Sequence, residues 1–381
     1  MKNKPIPFER KIIACPEDYS SLSEQCNVIG AFNPGATLIK NEQGDLETLL
    51  MIRVAEKVPN KKLLLPFFEI RNEEHLKEWK INFDEPSEKE INKYHKKSVE
   101  LKNGVNRLKH ISLPRLMKLN SKGEIIERRQ EPCLYPSWEY ERFGIEDVRI
   151  TSMEDRRYVI TYVCPHREFG VSTAFKITKD FNKFEEVIKE NTPRPIFSGI
   201  KDVVVFPEKI SSPSGTEILK KESKLYTALV RPNAFSDIST PGIWVSYSPD
   251  LVHWGQEHRL TISKEGEITG TGTPPIKIEN KWFAAYHETT RNQKKESVYN
   301  TKLMSMDLKE PWKEFKSSGV LLEREDYLSL LPKRGYIPNV VFTSAKTEQD
   351  GITTLYSGID DTWTVMDKFY TEDLLKFIEK S

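Results

Sequence analysis

A unit of short strands closed by an aspartate, a large apolar residue and a following aromatic recurs through the second half of the chain. It constrains the fold more than any other feature. The closures are Asp180-Phe181-Asn182-Lys183-Phe184, Asp250-Leu251-Val252-His253-Trp254 and Asp307-Leu308-Lys309-Glu310-Pro311-Trp312, at intervals of roughly 55–70 residues. Each is preceded by short β-branched or aromatic runs, such as residues 203–210, 225–229 and 243–247. Self-similarity at that period, with about four strands per repeat, is the sequence form of a β-propeller. The opening strands carry Asn33, Glu146, Asp202, Thr273 and Asn339, which makes five units. The expected fold is therefore all-β. It is a five-bladed β-propeller with an axial active site, one domain over residues 1–381, with a short C-terminal helix at 371–381. In that helix Thr371 is the expected N-cap, Glu372 and Asp373 occupy the first turn, and Leu374, Leu375 and Ile378 share a face.

Two stretches depart from the repeat. Residues up to about Asn27 show no periodicity and are expected to form an arm across the domain. Residues 57–131 are long and charged, and read as an elaboration of the first blade with strand pieces near 63–70 and 111–119. The Glu/Lys run at 88–97 reads as a solvated face. With a net charge of +1 and both signs dispersed, no basic stripe suits a nucleic acid or an anionic membrane. The chain opens on Met1-Lys2-Asn3-Lys4-Pro5 without an apolar leader, and no apolar run approaches a membrane span. Cys15, Cys26, Cys133 and Cys164 are scattered and read as free thiols, so a cytoplasmic location is expected. No His and carboxylate spacing suggests a metal, and no cofactor is expected. The oligomeric state is not legible.

In a propeller the first strand of each blade lines the central channel and delivers side chains to one mouth. The polar residues set in these apolar strands are Asn33, Glu146-Asp147 with Arg149, Lys201-Asp202, Glu208-Lys209, Thr271, Thr273 and Asn339. Brought together, they supply carboxylates, cations and amides, the inventory of a glycoside-cleaving site. Each also has a plainer reading. Glu146-Asp147 with Arg149 and Glu208-Lys209 are possible ion pairs, His287 a core histidine, and Glu288 and His166-Arg167 loop residues.

Asn33-Pro34-Gly35, Glu146-Asp147-Val148-Arg149, Phe206-Pro207-Glu208-Lys209-Ile210, Gly272-Thr273-Pro274-Pro275-Ile276 with Tyr286-His287, and Pro338-Asn339-Val340-Val341-Phe342 occur in that order. The set resembles glycoside hydrolase family 130, the β-mannoside phosphorylases and β-1,2-mannosidases, over most of the chain. The resemblance implies a five-bladed propeller acting on a β-mannoside oligosaccharide. It implies Asp147 as general acid, acting through a sugar hydroxyl, with Val148 in place of the family's usual proline. It places Asn33, Arg53 and Asp361 around the terminal mannose, with Asp360 or Asp361 aligned to within one residue. Arg149, Lys209, Arg231, Tyr286, His287 and Asn339 join them as substrate-binding candidates.

The family contains two chemistries. A phosphorylase gathers cations around inorganic phosphate, its co-substrate, whereas a hydrolase activates water with a carboxylate base. Arg167, Lys209 and Arg231 are the candidate phosphate ligands. Leu229-Val230-Arg231-Pro232, however, lacks the imidazole of the phosphorylases' Leu-His-Arg-Pro, and Tyr286-His287-Glu288 adds a carboxylate where the family usually has glycine. These departures favour inverting hydrolysis of β-1,2-linked manno-oligosaccharides, with Glu208 or Glu288 as base. Phosphorolysis releasing mannose 1-phosphate is the alternative, and a non-catalytic glycan-binding propeller a third.

Overall fold

The computed structural model describes residues 4–59, 63–73, 76–166, 170–188, 194–213, 224–232, 242–261, 267–294, 296–332 and 334–381. Among them strands dominate, and the one α-helix is α1, Thr371–Glu379. Five antiparallel sheets share a path of four strands each. Sheet one runs Asn27–Lys40, Leu46–Lys57, His110–Leu119, Ile125–Pro132. Sheet two runs Glu146–Ser152, Tyr158–His166, Gly170–Thr178, Glu185–Glu186. Sheet three runs Ile200–Val205, Lys224–Pro232, Trp244–Ser248, Gly255–Arg259. Sheet four runs Ile268–Thr271, Lys281–Arg291, Ser297–Met306, Phe315–Leu322. Sheet five runs Val341–Gln349, Ile352–Ile359, Trp363–Tyr370, and takes its fourth strand, Glu9–Ala14, from the start of the chain.

The strands are apolar on both faces because each sheet is covered on both faces. Val203 and Val205 pack with Val159 and Phe175 of sheet two, while the alternating Val204 and Phe206 pack with Trp282 and Tyr286 of sheet four. Sheet four turns Phe283 and Ala285 the other way, onto Val341 and Leu355 of sheet five. Sheet five in turn packs Tyr356 and Met366 on Leu50 and Ile52 of sheet one. Sheet one meets sheet two through Leu49, Met51, Val148 and Ile160. Polar side chains and backbone repeat the sequence of contacts. Ile145 N donates to Ser112 O at 2.9 Å, Thr151 Oγ1 to Val205 O at 3.1 Å, and Thr271 Oγ1 to Asp202 O. Thr301 and Thr343 hydroxyls meet at 2.8 Å, and Ser344 Oγ donates to Pro34 O at 2.8 Å, so the fifth sheet bonds back to the first.

Three expectations are corrected. The opening arm contains a strand, Glu9–Ala14, whose apolar Ile12, Ile13 and Ala14 are too few to show a period. The charged excursion is not wholly an appendage, because His110–Leu119 and Ile125–Pro132 complete sheet one. What extends outward is a hairpin, Leu65–Glu73 with Leu76–Asp84, and a three-stranded meander of Ile91–Tyr94, Ser98–Leu101 and Asn106–Leu108. In α1 the N-cap is Tyr370, because Thr371 is drawn inward to share a 2.9 Å hydrogen bond with Thr353. The helix buries Leu374, Phe377 and Ile378 on the cluster between sheets four and five, with Leu375 half-buried.

Candidate active site

Asn33, Asp147 and Asp202 have φ of 47°, 49° and 53°, and each sits where its strand slips out of register with the second strand. Left-handed backbone is tolerated by Asn and Asp better than by other side chains, and a bulge re-aims the side chain it carries. Three first strands thus turn a short polar group out of the apolar layers at equivalent points. Beside Asn33 the second strand of sheet five supplies Gly358, where a Cβ would lie 1.9 Å from Asn33 Oδ1. Only glycine allows that approach.

These strands bound a cavity of about 670 Å³. Asp147 Oδ1 accepts from Asn33 Nδ2 at 2.9 Å and from Arg53 Nη1 at 2.8 Å. The other amino group of Arg53 pairs with Glu146 and lies 3.2 Å from His110 Nε2, and its Nε donates to Ser112 Oγ at 3.1 Å. Burial alone would push Asp147 up, but Arg53, then Lys201 and Arg149, outweigh it and hold the carboxyl well below the usual range. Glu146 is lowered in the same way: burial opposes ionisation, while Arg53 and His110 favour it. Arg149 is 1% exposed and anchors the site from beneath, donating to Gly272 O at 2.6 Å and Asp147 O at 2.8 Å. Asp361 lines the cavity and pairs with Lys97, whose ammonium it holds above its ordinary range against the opposing effect of burial. Asp360 points away, to Arg324 at 2.8 Å, so Asp361 is the aspartate of the cavity.

Behind Lys201, a lining residue, Asp202 Oδ2 accepts from Arg231 Nε at 2.7 Å and lies 3.8 Å from His287 Nε2. Burial pushes His287 down to about 3 despite Asp202, with Arg231, Lys201 and Arg149 adding to the depression, so the imidazole is neutral.

The structure therefore brings Asn33, Arg53, Asp147 and Asp361 into one cavity and sets Arg149, Arg231 and His287 behind it. It does not bring the two proposed bases there. Glu208 lies past the end of its strand and pairs with Lys277 at 3.4 Å, and Lys209 stacks over Tyr226 at 4.4 Å. Glu288 is bound by Lys302 at 2.9 Å. Tyr286 belongs to the core between sheets three and four, its hydroxyl 2.5 Å from Ser317 Oγ. Asn339 bonds Glu296 at 3.2 Å on the far side of the cavity wall. Arg167 falls outside the described residues. Lys96, Lys97, His110, Glu296, Tyr299 and Arg334 line the cavity without having been candidates. For Lys96 and Lys97 the sequence holds no signal beyond charge, since only the fold of the meander carries them inward.

A buried carboxylate–arginine pair ringed by further cations and carboxylates in a cavity of this size fits an enzyme of the glycoside hydrolase and phosphorylase class, the class that the comparisons give. The family model of glycoside hydrolase family 130, described as beta-1,4-mannooligosaccharide phosphorylase, matches residues 78–380. The beta-1,2-mannobiose phosphorylase of Listeria innocua is 31% identical over 368 residues, covering 93% of both chains. A 1,2-beta-oligomannan phosphorylase of Thermoanaerobacter is 28% identical over 62% of this chain and 71% of its own. The solved Listeria innocua enzyme in complex with beta-1,2-mannobiose superposes with a TM-score of 0.77 at 28% identity, covering 96% of this chain and 97% of that one. The chain belongs to glycoside hydrolase family 130.

Proposed function

We propose that the protein is a β-mannoside phosphorylase, cleaving β-1,2-linked manno-oligosaccharides with inorganic phosphate and releasing mannose 1-phosphate. We further read its five sheets as the blades of a propeller with the site at the axis, one domain carrying the hairpin and meander as elaborations of the first blade. The observation that carries the reaction is the division of charge in the cavity. An inverting hydrolase needs a free carboxylate about 6.5–9.5 Å from its acid. Here Glu146 is held by Arg53, Asp361 by Lys97, and Glu296 by Asn292 and Asn339, while Glu208 and Glu288 lie elsewhere. Cations line the same cavity and, Lys97 apart, are held more loosely: Lys96 stacks over the Tyr336 ring, Lys201 lies 3.7 Å from Asp202 and Arg334 3.7 Å from Glu296. That favours an anionic nucleophile over water, and phosphorolysis replaces hydrolysis as the preferred reaction. The names of the relatives support the same choice and the β-1,2 linkage.

In this reading a phosphate oxygen bonds to C1 of the terminal mannose as the glycosidic C1–O bond breaks. The leaving oxygen gains a proton, and the proton that hydrogen phosphate loses balances it. Asp147 is ionised in the free site, and a phosphate dianion brought into the cavity raises its affinity for that proton. Asn33, Arg53 and Asp361 hold the terminal sugar. The test is incubation with β-1,2-mannobiose, with and without inorganic phosphate. Mannose 1-phosphate formed only with phosphate is expected, and free mannose at equal rates in both samples would restore the hydrolase reading.

A further inference from the structure

Further along the first strands, beyond the candidate active site, lies a separate cavity of about 260 Å³. All five sheets contribute to it, through Leu38, Ile150, Pro207, the pair Pro274-Pro275, and Lys346. None of its lining residues lines the first cavity. The prolines and branched aliphatic side chains make its walls largely apolar. Its volume falls just below the roughly 300–1,000 Å³ typical of drug-sized ligands, so it suits a compact molecule of a few carbons.

Lys346 is the residue that apolar walls do not explain. Strand alternation turns Ala345 towards sheet one and Lys346 towards sheet four, with Nζ 5.9 Å from the centre of the Phe283 ring. The residue is only 6% exposed. Its Nζ donates to Pro274 O and to Thr273 Oγ1 at 3.2 Å, two uncharged acceptors, which leaves one N–H of an ammonium for a further partner. Among the described residues Lys346 pairs with no carboxylate. Glu348, on the same rim, accepts from Gly351 N at 3.1 Å, and Glu208 pairs with Lys277 at 3.4 Å. Burial holds the Lys346 ammonium well below its ordinary range, and no neighbouring charge opposes that. Buried charges are normally paired, and a methionine would fill the same space without the desolvation cost. Stability alone therefore does not account for a lysine here, and departures of this kind are expected at functional sites.

We propose that this cavity binds a small organic monocarboxylate, with its carboxylate on Lys346 Nζ and its short apolar body against the prolines. One buried cation calls for one negative charge. A phosphate dianion would carry a second charge and a larger hydration shell into apolar walls that hold a single buried cation. The site is separate from the proposed phosphorolysis and does not depend on it.

Thermal melts with sodium butyrate, its neutral isostere butyramide and sodium chloride at matched ionic strength test the proposal. They are run on the intact protein, on Lys346→Met and on Ser152→Trp. Methionine keeps the apolar stem and removes the charge. Ser152 is exposed on the rim, where an indole would cover the cavity without disturbing the core. At saturating butyrate the intact protein should gain about 2 °C in Tm, with no gain from butyramide or chloride. Both variants should lose that gain. An equal gain from butyramide, or none from butyrate in the intact protein, overturns the proposal. So does a full butyrate gain in either variant, since the carboxylate would then be bound elsewhere. Should Lys346→Met fail to fold, Ser152→Trp and the butyramide comparison decide the matter.

Discussion

Asp147 faces opposite demands. Asn33 and Arg53 stabilise its charged form, yet the proton transfer proposed for it requires it neutral for part of the cycle. Asp147→Asn removes the proposed proton donor while keeping a side chain that tolerates a φ of 49°, and Glu146 still neutralises Arg53. The expected outcome is a fall in kcat of about 10²–10⁴-fold with a cooperative thermal melt retained. A variant keeping most of its turnover would reduce Asp147 to an ion-pair partner. His287 makes a different prediction. Its native pKa of about 3 lies below the ordinary 6.5, so between those values the unfolded chain holds the extra proton. Its contribution to stability is complete above pH 6.5 and is lost as pH falls towards 3, at up to about 1.4 kcal/mol per pH unit. Urea melts at pH 7 and pH 5 should show a smaller acid loss for His287→Gln than for the parent, and equal losses would contradict a buried neutral imidazole. These groups were legible in the sequence to different degrees. Asn33, Asp147 and Asp202 stand out because an Asn or Asp interrupting an apolar strand has few reasons to be there other than a bulge. Glu208 looked equivalent, but it follows its strand instead of interrupting it, and the strand's end carries it to Lys277.

The meander of residues 91–108 shows what reading by charge leaves out, although all of residues 88–97 but half-buried Ile91 are exposed as that reading expects. Its run at 88–97 is almost entirely charged or polar, the pattern of a solvated face. The turn between Ile91–Tyr94 and Ser98–Leu101 nevertheless reaches the cavity, held by a hydrogen bond from Tyr336 Oη to Lys96 O at 3.1 Å and by Lys109 N to Lys97 O at 2.9 Å. Lys96 also stacks over the Tyr336 ring at 5.7 Å. Nothing local dictates this; the destination of the turn is decided by residues more than two hundred positions away. Lys97 pairs with Asp361 and thereby fixes the carboxylate proposed to hold the terminal sugar. Lys97→Ala should raise KM for β-1,2-mannobiose about tenfold, the scale of one charge-assisted hydrogen bond, with a smaller change in kcat. Lys97→Arg should recover part of the loss. A kcat defect at unchanged KM would instead tie Lys97 to the chemical step. The paired strands around Tyr158 and Trp282 were read correctly; on the apolar side of α1 Leu374 and Ile378 were, but buried Phe377 was not among the residues expected there and Leu375 is half-buried.

The assembly of five sheets depends on the strand Glu9–Ala14, which pairs with Trp363–Tyr370 and joins the first residues of the chain to the last sheet. Without it, the outermost strand of sheet five would present unpaired backbone groups, the template for association between copies. The strand also contributes Ile13 and Ala14 to the core between sheets five and one. Arg10 adds a polar lock. It pairs with Asp367, which is 0% exposed, donates to Asp326 O at 2.6 Å, and lies 4.3 Å from the centre of the Tyr327 ring. Burial raises the Asp367 carboxyl even with Arg10 beside it, so losing the guanidinium leaves that group, among the described residues, with the Tyr327 hydroxyl at 2.8 Å. Removing one partner of a buried pair costs about 3–5 kcal/mol, and exposing a side chain such as Ile13 about 2 kcal/mol more. For a chain of this length that corresponds to a fall in Tm of about 5–10 °C. Deletion of residues 1–14 should therefore lower Tm by that amount and promote concentration-dependent association seen in sedimentation. Arg10→Ala alone should give roughly two-thirds of the thermal shift without the association, because the strand still covers the edge. A truncated protein that melts with the intact one and remains unassociated would show that the strand covers sheet five without closing it.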